Sequence, residues 1–198
     1  MMPRPPHRLF FAALPDAAAG AQAHERIHAL QVRQGLAGHP TATDRRHVTL
    51  HWLGDHEAFP ADLVADACAA CAAGAAVGLA PFEPVFDRLG SIGDVRRPGP
   101  VVLSGGDGLR GLRELQRALG RALQAAHLGC QVREAFVPHM TQLYPRPMVH
   151  VPVHAVAPLS WTLREWVLID SQARGSVAEY RILGRWPLRS RQPDLLDG

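Results

Sequence analysis

The order of hydrophobic and polar residues predicts strands and helices along almost the whole chain. Strands are indicated where apolar and polar residues alternate, or where short apolar runs are bounded by glycine and proline. The predicted strands cover residues 8–14, 45–53, 80–92, 101–105, 136–144, 161–171 and 177–186. Pro81 and Pro84 favour an edge position for residues 80–92, because proline cannot donate a hydrogen bond to a neighbouring strand. The last two strands are predicted to form a hairpin.

Three helices are predicted between these strands. The first begins after Asp16, an N-cap residue type, and ends near Leu36. The second covers residues 60–77, which are mostly alanine. The third covers residues 108–127 and is amphipathic, since its leucines recur every three or four residues with arginines opposite. The resulting order is strand–helix–strand–helix–strand followed by strand–helix–strand–strand–strand, which predicts a doubled α+β unit.

The composition indicates a single globular domain spanning residues 1–198. A chain of 198 residues with 47% hydrophobic content can fill a core. No apolar run reaches the roughly 18 to 20 residues that a membrane helix needs. The apolar segment near the N-terminus is short for a secretory signal and stops at Pro15 and Asp16. We therefore expect a cytoplasmic protein without membrane contact, with its core over residues 8–187 and loosely ordered tails at 1–7 and 188–198.

Cysteine content and charge change this picture only slightly. The chain has three cysteines, an odd number that builds no disulfide framework and fits a reducing compartment. Cys68 and Cys71 form a C-x-x-C, but they lie in an alanine-rich helical segment, so we interpret them as a buried helix face rather than a redox or zinc site. The net charge of +3 permits an anionic substrate without requiring one.

The strand over residues 45–53 carries the candidate chemistry. Strand alternation puts four side chains on one face and Trp52 on the other, and those four are His47, Thr49, His51 and Leu53. Gly54 is expected to end this strand. The first part of the pattern recurs in the strand over residues 136–144, as His139-Met140-Thr141. A single His-x-Thr on a strand is common and can be an ordinary polar face, so the recurrence is the informative feature.

Two such strands facing a common groove would present two imidazoles and two hydroxyls to one point. Histidine donates or accepts a proton near neutral pH, so one ring can take a proton from water while the other gives one to a leaving oxygen. Threonine hydroxyls can hold the oxygens of an anionic centre as charge develops. Phosphodiester cleavage needs these parts and no metal, so we expect neither a metal nor a cofactor.

The two motifs and their surroundings resemble a known family. "HVTLHWLG" and "FVPHMTQL" look like the paired H-x-T-x motifs of the 2H phosphoesterases, above all the RNA 2',3'-cyclic phosphodiesterases also called 2'-5' RNA ligases. The opening "RLFFAALP" is similar to the first strand of that family. The resemblance extends over residues 8–186, nearly the whole chain.

The resemblance implies a function, a fold and site residues. His47 would donate a proton to the departing 3'-oxygen, His139 would activate water, and Thr49 and Thr141 would contact the phosphate. The product would be a 2'-phosphomonoester at an RNA end, and no obligate protein partner is implied. The implied fold is α+β, with two pseudo-symmetric lobes, each an antiparallel sheet with helices outside, around a central groove.

The sequence departs from the family pattern beside both motifs. Arg45 and Arg46 stand where the family tends to have an asparagine and an apolar residue, and Arg146 stands beyond the position of the usual arginine. We expect Arg146 to bind phosphate or nucleotide, against the alternative of a solvated loop residue. His51 is expected to contact substrate or to be a polar residue at the strand end. Phe10 could stack on a base, although an aromatic residue in a first strand more often belongs to the core.

Three functions remain open at this stage. The leading one is metal-independent hydrolysis of RNA 2',3'-cyclic phosphate ends. The second uses the same residues to form or cleave 2'-5' linkages. The third is an RNA-end-binding module without turnover. The mild charge and the few aromatic residues disfavour strong sequence-specific RNA binding, and the retention of both histidines disfavours a loss of catalysis. The sequence does not identify the physiological RNA, the base-contacting residues or the oligomeric state, and the motifs alone do not assign the acid and the base.

Overall fold

The computed structural model describes residues 6–73, 78–129, 136–174 and 177–189. Its α-helices are α1 (Ala17–Gln34), α2 (Ala61–Ala73) and α3 (Arg110–Ala125). Its strands are β1 (His7–Ala13), β2 (Val48–His56), β3 (Val85–Gly93), β4 (Pro98–Ser104), β5 (Met140–Leu143), β6 (His154–Ser160), β7 (Glu165–Arg174) and β8 (Val177–Pro187). Short 3-10 turns precede β2 and α3.

The strands form two four-stranded antiparallel sheets of the same design. Their orders are β2-β1-β7-β8 and β5-β4-β3-β6. In each sheet a central strand leads into a long helix and the chain returns as the edge strand, through β1-α1-β2 in the first and β4-α3-β5 in the second. Helix α1 contacts β5 and β6, and α3 contacts β2, so each helix lies against the sheet of the other unit. The predicted α+β class with two related lobes is confirmed.

Local sequence explains why these elements begin and end where they do. The carboxylate of Asp16 accepts a hydrogen bond from the Ala19 amide at 2.8 Å and caps α1 as predicted. Gly35 ends the helix in the left-handed conformation, at φ 62°. The leucine stripe of α3 is buried in the main core. Both faces of β1 are buried, which fits its central position in a sheet.

The two sheets differ in several places from the strands predicted by sequence. Strand β3 lies between β4 and β6, so the predicted edge position is wrong; Pro81 and Pro84 precede the strand and occupy none of its ladder positions. Strand β6 was not predicted, because most of its side chains are exposed and no hydrophobic alternation marks it. Strand β2 continues past Gly54 to His56, with Gly54 at φ 122°.

The other boundaries shift by a few residues. Strand β5 begins at Met140, four residues later than predicted, and β7 begins at Glu165. Strands β7 and β8 pair as the predicted hairpin partners, while residues 175–176 of their connection lie outside the described residues. Most of both predicted tails, residues 1–5 and 190–198, also lies outside them. Leu188, inside the predicted C-terminal tail, is buried and its amide donates to the Arg164 carbonyl at 2.7 Å.

Two further sequence expectations concern the helices. Cys68 and Cys71 lie on α2, the first half-buried and the second buried, and burial raises the pKa of the Cys68 thiol. This placement agrees with a packed helix face. Within the described ranges, none of the helices is both long and apolar enough to cross a membrane.

Candidate active site

His47 lies immediately before β2, at the edge of the first sheet. Its Nδ1 donates to the Arg45 carbonyl at 2.9 Å, and its Nε2 lies 3.1 Å from the Thr49 hydroxyl. The Phe10 ring packs at 4.8 Å between centroids, and the Tyr180 hydroxyl lies 3.4 Å from Nδ1. With Nδ1 held by a carbonyl, Nε2 is left as the nitrogen that exchanges a proton.

His139 repeats this arrangement immediately before β5, at the edge of the second sheet. Its Nδ1 donates to the Val137 carbonyl at 3.0 Å, two residues earlier in the chain, as that of His47 does. Its threonine partner, Thr141, follows two residues later within β5. The two histidines are therefore oriented by the same local hydrogen bond at equivalent positions of the two sheets.

The edge strands β2 and β5 contact each other, and this brings the two motifs together. His47, Thr49, His139 and Thr141 all line one groove of about 550 Å³. The Arg46 guanidinium donates to the Gln142 side-chain oxygen at 3.2 Å, and the Thr41 amide donates to the Gln142 carbonyl at 2.8 Å. The structure thus places both His-x-Thr pairs at one site.

The groove is electropositive. Its basic lining consists of Arg8, Arg45, Arg146, His39, His47 and His139. Within the described ranges, no aspartate or glutamate lines it. A lining with basic and without acidic side chains favours an anionic ligand. The arrangement can therefore hold a phosphate and surround it with two imidazoles and two hydroxyls.

Burial controls the protonation of the first histidine. Loss of water around His47 lowers the pKa of its imidazole, and the nearby charge of His139 lowers it further. The hydrogen bond to the Arg45 carbonyl opposes this shift and raises the pKa. In the ligand-free groove His47 is thus biased towards its neutral form, and a bound phosphate anion would favour the protonated form.

The prediction that His51 faces the groove is wrong. His51 is 6% exposed, and its Nε2 donates to the Gln116 carbonyl of α3 at 2.7 Å. The cause is a β-bulge: Thr49 pairs with Ala12 but His51 pairs with the adjacent Phe11, which leaves one extra residue on β2. The bulge reverses the alternation after Thr49, so the ring of His51 turns to the core and Trp52 turns to the groove.

Arg146 lies where the sequence places it, on the groove lining and exposed to solvent. Phe10 is only 3% exposed, yet it also lines the groove, and its ring stacks on Trp52 at 5.8 Å with an interplanar angle of 7°. Phe10 therefore packs in the core and also contacts the ring of His47. Whether either residue binds substrate stays a prediction.

Sequence reasoning missed several lining residues. Trp52 was assigned to the wrong face, and Tyr180 gave no signal because it comes from β8, far along the chain. Arg45 and Arg8 also line the groove. The Arg8 guanidinium lies 4.8 Å from the Trp52 ring centroid and donates to Asp55 at 3.1 Å. The recurrence of aromatic residues on β1, β2 and β8 became meaningful only when the sheet order was known.

Over residues 6–73, 78–129, 136–174 and 177–189, no group of three or more His, Cys, Asp or Glu side chains is placed to hold a metal ion.

Known proteins with related sequences or folds support the same family. The family model described as the 2'-5' RNA ligase superfamily matches residues 14–175. Escherichia coli LigT, solved in complex with NADP+, is 28% identical with a TM-score of 0.66, over 94% of this chain and 99% of that one. A structure described as a phosphoesterase is 28% identical with a TM-score of 0.67, over 92% and 98% of the two chains.

A more distant structure supports the fold alone. The protein TT0787 of Thermus thermophilus is 22% identical with a TM-score of 0.69, over 93% of this chain and 100% of that one. Among curated proteins no sequence matches.

Proposed function

The chain belongs to the 2'-5' RNA ligase superfamily, and on that premise we propose that it hydrolyses RNA 2',3'-cyclic phosphate ends to 2'-phosphomonoesters without a metal ion. Membership in this superfamily of phosphoesterases supports an enzyme of the phosphodiesterase kind. The observation that carries the finer proposal is the placement of His47-x-Thr49 and His139-x-Thr141 on the lining of one groove.

The proposed reaction is a single displacement at phosphorus. His139 accepts a proton from water while the water oxygen bonds to phosphorus. The bond between phosphorus and the 3'-oxygen breaks, and His47 gives its proton to that oxygen. The product carries a 3'-hydroxyl and a 2'-phosphate, and proton exchange with solvent resets both histidines. The carbonyl bonds at Nδ1 of each ring support these roles, because they aim Nε2 as the exchanging atom.

The assignment of His47 as the acid and His139 as the base follows the family resemblance. This assignment requires His47 to be protonated when substrate is bound. Burial disfavours protonated His47 in the ligand-free groove. The negative charge of the cyclic phosphate would offset this effect on binding, so that the acid is charged when substrate is present. Thr49, whose hydroxyl lies 3.1 Å from Nε2 of His47, and Thr141 would donate to non-bridging oxygens.

A second function with the same site is the formation or cleavage of 2'-5' linkages. Ligation would open the same cyclic phosphate with a 5'-hydroxyl in place of water as the nucleophile, breaking the bond from phosphorus to the 3'-oxygen and leaving a 2'-5' linkage, and it would use the same four residues. The aromatic surface of Phe10, Trp52 and Tyr180 beside His47 favours a nucleoside on the substrate. Binding of NADP+ by Escherichia coli LigT is consistent with a nucleotide ligand in such a groove. A binding module without turnover is the third alternative.

The test is to incubate the protein with a 2',3'-cyclic-phosphate oligonucleotide in EDTA and identify the product end. We expect a 2'-phosphate, and we expect His47→Ala and His139→Ala to abolish turnover while binding persists. His154→Ala is the matched control, because His154 makes the same Nδ1 bond to a carbonyl two residues earlier but lies outside the groove lining. Turnover that EDTA removes would contradict the mechanism, and binding without turnover would favour the module.

We place the activity in the cytoplasm, acting on RNA ends or related nucleotides. A reducing compartment suits the unpaired Cys68 thiol and the absence of a disulfide framework in the sequence. No cofactor is needed for the proton transfers proposed above.

A further inference from the structure

One rim of the groove is built from two chain segments that are fastened together. The loop between α1 and β2 runs along β5 and the residues that follow it. The Thr41 amide donates to the Gln142 carbonyl at 2.8 Å, and the Arg146 amide donates to the Ala37 carbonyl at 2.9 Å. Gly38 permits the close approach, since a Cβ there would lie 2.5 Å from the Tyr144 carbonyl oxygen. The two segments therefore form one continuous surface beside the histidines.

We call this surface the cationic rim, and six of its residues line the groove: His39, Pro40, Thr41, Arg45, Tyr144 and Arg146. Over the described ranges, neither the Arg45 nor the Arg146 guanidinium forms an ion pair or a side-chain hydrogen bond. Arg8 across the groove is different, because its guanidinium donates to Asp55 at 3.1 Å. Among the described residues, no carboxylate pairs with either of these two arginines of the rim.

The proposed chemistry does not account for both arginines. A 2',3'-cyclic phosphate carries one negative charge, and the two histidines and two threonines already surround it in the proposed mechanism. Guanidinium groups match phosphate oxygens through paired N–H donors. Two further guanidiniums in the same groove therefore exceed what one cyclic phosphate requires.

From this excess we infer that the cationic rim binds a second phosphate, the internucleotide phosphodiester next to the reacting end. The inference rests on the proposed function and narrows its substrate to the end of an RNA strand rather than a free cyclic mononucleotide. Arg45 is the principal residue of this subsite. It lies two residues before His47 and lines the groove half-buried, so it can hold a phosphate close to the reacting one.

The aromatic residues support this division of the groove. Phe10, Trp52 and Tyr180 come from β1, β2 and β8, whereas the cationic rim comes from the α1–β2 loop and the segment after β5. One part of the lining offers ring faces and the other offers cations. A strand end provides matching groups, with the terminal nucleoside on the rings and the preceding phosphodiester at the rim.

The test compares two ligands that differ by one nucleotide and its phosphodiester, cytidine 2'-phosphate and cytidylyl-cytidine 2'-phosphate. Calorimetric titration measures both affinities without any turnover. We expect the parent protein to bind the dinucleotide about tenfold more tightly or better, as a charge-assisted contact allows. Arg45→Gln should reduce this advantage to about threefold or less, because the dinucleotide loses more affinity than cytidine 2'-phosphate does. Arg117→Gln, an exposed arginine of α3, is the matched control.

Each outcome decides one of the two proposals. Equal affinity of the parent protein for both ligands, or an equal loss for both in Arg45→Gln, would overturn the subsite. A preserved dinucleotide advantage in Arg45→Gln together with its loss in Arg146→Gln would overturn the role of Arg45. A dinucleotide preference that depends on Arg45, in a protein that opens no cyclic phosphate, would support the subsite and contradict the proposed hydrolysis.

Discussion

The Nε of Arg46 donates to the side-chain oxygen of Gln142 at 3.2 Å, which joins the residue before His47 to the residue after Thr141. Arg46 is 1% exposed, and Gln142 is fully buried. Among the described residues, the other partners of the guanidinium are the Gly20 carbonyl, the Thr43 hydroxyl and Nδ1 of His24. Loss of water on burial lowers the pKa of the Arg46 guanidinium. A buried cation at this place fixes the two motifs relative to each other.

Removing this bond should reduce catalysis by misplacing the motifs. We expect Arg46→Met to lower kcat about tenfold or more with a smaller change in KM, since small displacements of positioned groups are costly. The unpaired Gln142 should also reduce the free energy of unfolding by about 1–3 kcal/mol. Steady-state kinetics and urea unfolding measure the two effects. Arg33→Met, at an exposed site on α1, is the control; an unchanged kcat in Arg46→Met would refute the positioning role.

His51 should matter for stability and not for substrate. Its imidazole is buried and donates to the Gln116 carbonyl, so His51→Ala loses a buried hydrogen bond and leaves a cavity. We expect a decrease in the free energy of unfolding of about 1–3 kcal/mol, with KM unchanged within about twofold. Denaturant unfolding and kinetics on the same preparation test this. A raised KM in a stably folded variant would indicate that His51 contacts the substrate.

Acid should destabilise the fold through two histidines. Burial lowers the pKa of both His47 and His51 in the folded state. The unfolded chain therefore binds protons first as the pH falls, and stability decreases from about pH 6.5 downward through the folded pKa values. Urea unfolding at pH 8 and pH 5 measures how far the free energy of unfolding decreases on acidification. This decrease should be smaller in the double variant His47→Gln/His51→Gln than in the parent protein. The variant His28→Gln, at an exposed site, should show the same decrease as the parent protein. An equal decrease in all three proteins would show that His47 and His51 are not the origin of the acid sensitivity.

A sulfur leaving group can separate the acid from the base. When sulfur replaces the 3'-oxygen of a 2',3'-cyclic end, the sulfur leaves as a thiolate. A thiolate leaving group needs little proton donation from an acid. We expect His47→Ala to lose about 10²–10⁴-fold on the oxygen ester and much less on the sulfur ester, while His139→Ala loses activity on both. Rates of end opening for the two esters measure this. The reverse pattern would exchange the roles of the two histidines.

The sequence predicted the parts of the site that follow simple rules. His47 and His139 were predicted to share a groove because a His-x-Thr pattern recurs in two predicted strands. This recurrence is read directly from the sequence and does not depend on where each strand begins or ends. His51 was misplaced because a β-bulge between Thr49 and His51 depends on pairing with β1, which local alternation does not contain. In β5, Thr141 pairs with Val102 and Leu143 pairs with the adjacent Val101, so Gln142 is an extra residue in the ladder, and this register shift too was invisible in the sequence.

Other features of the fold required tertiary information. Strand β6 is mostly exposed and contains Pro158, so it lacks the hydrophobic pattern of the other strands. Arg46 is a charged residue that propensity places on the surface, and its burial became possible only through partners from α1 and β5. The aromatic and cationic parts of the groove were likewise hidden, because their residues come from distant segments.

Catalysis by a histidine pair is tested most directly by the rate of 2',3'-cyclic-phosphate opening. The rate is measured in EDTA, with the product end identified, for the parent protein, His47→Ala, His139→Ala and the double variant. If the two histidines act as one acid–base pair, each single variant should lose about 10²–10⁴-fold and the double variant should lose little more. The parent protein should yield only the 2'-phosphate. A single variant that retains activity within about tenfold of the parent, or a parent that releases a 3'-phosphate, would contradict this mechanism.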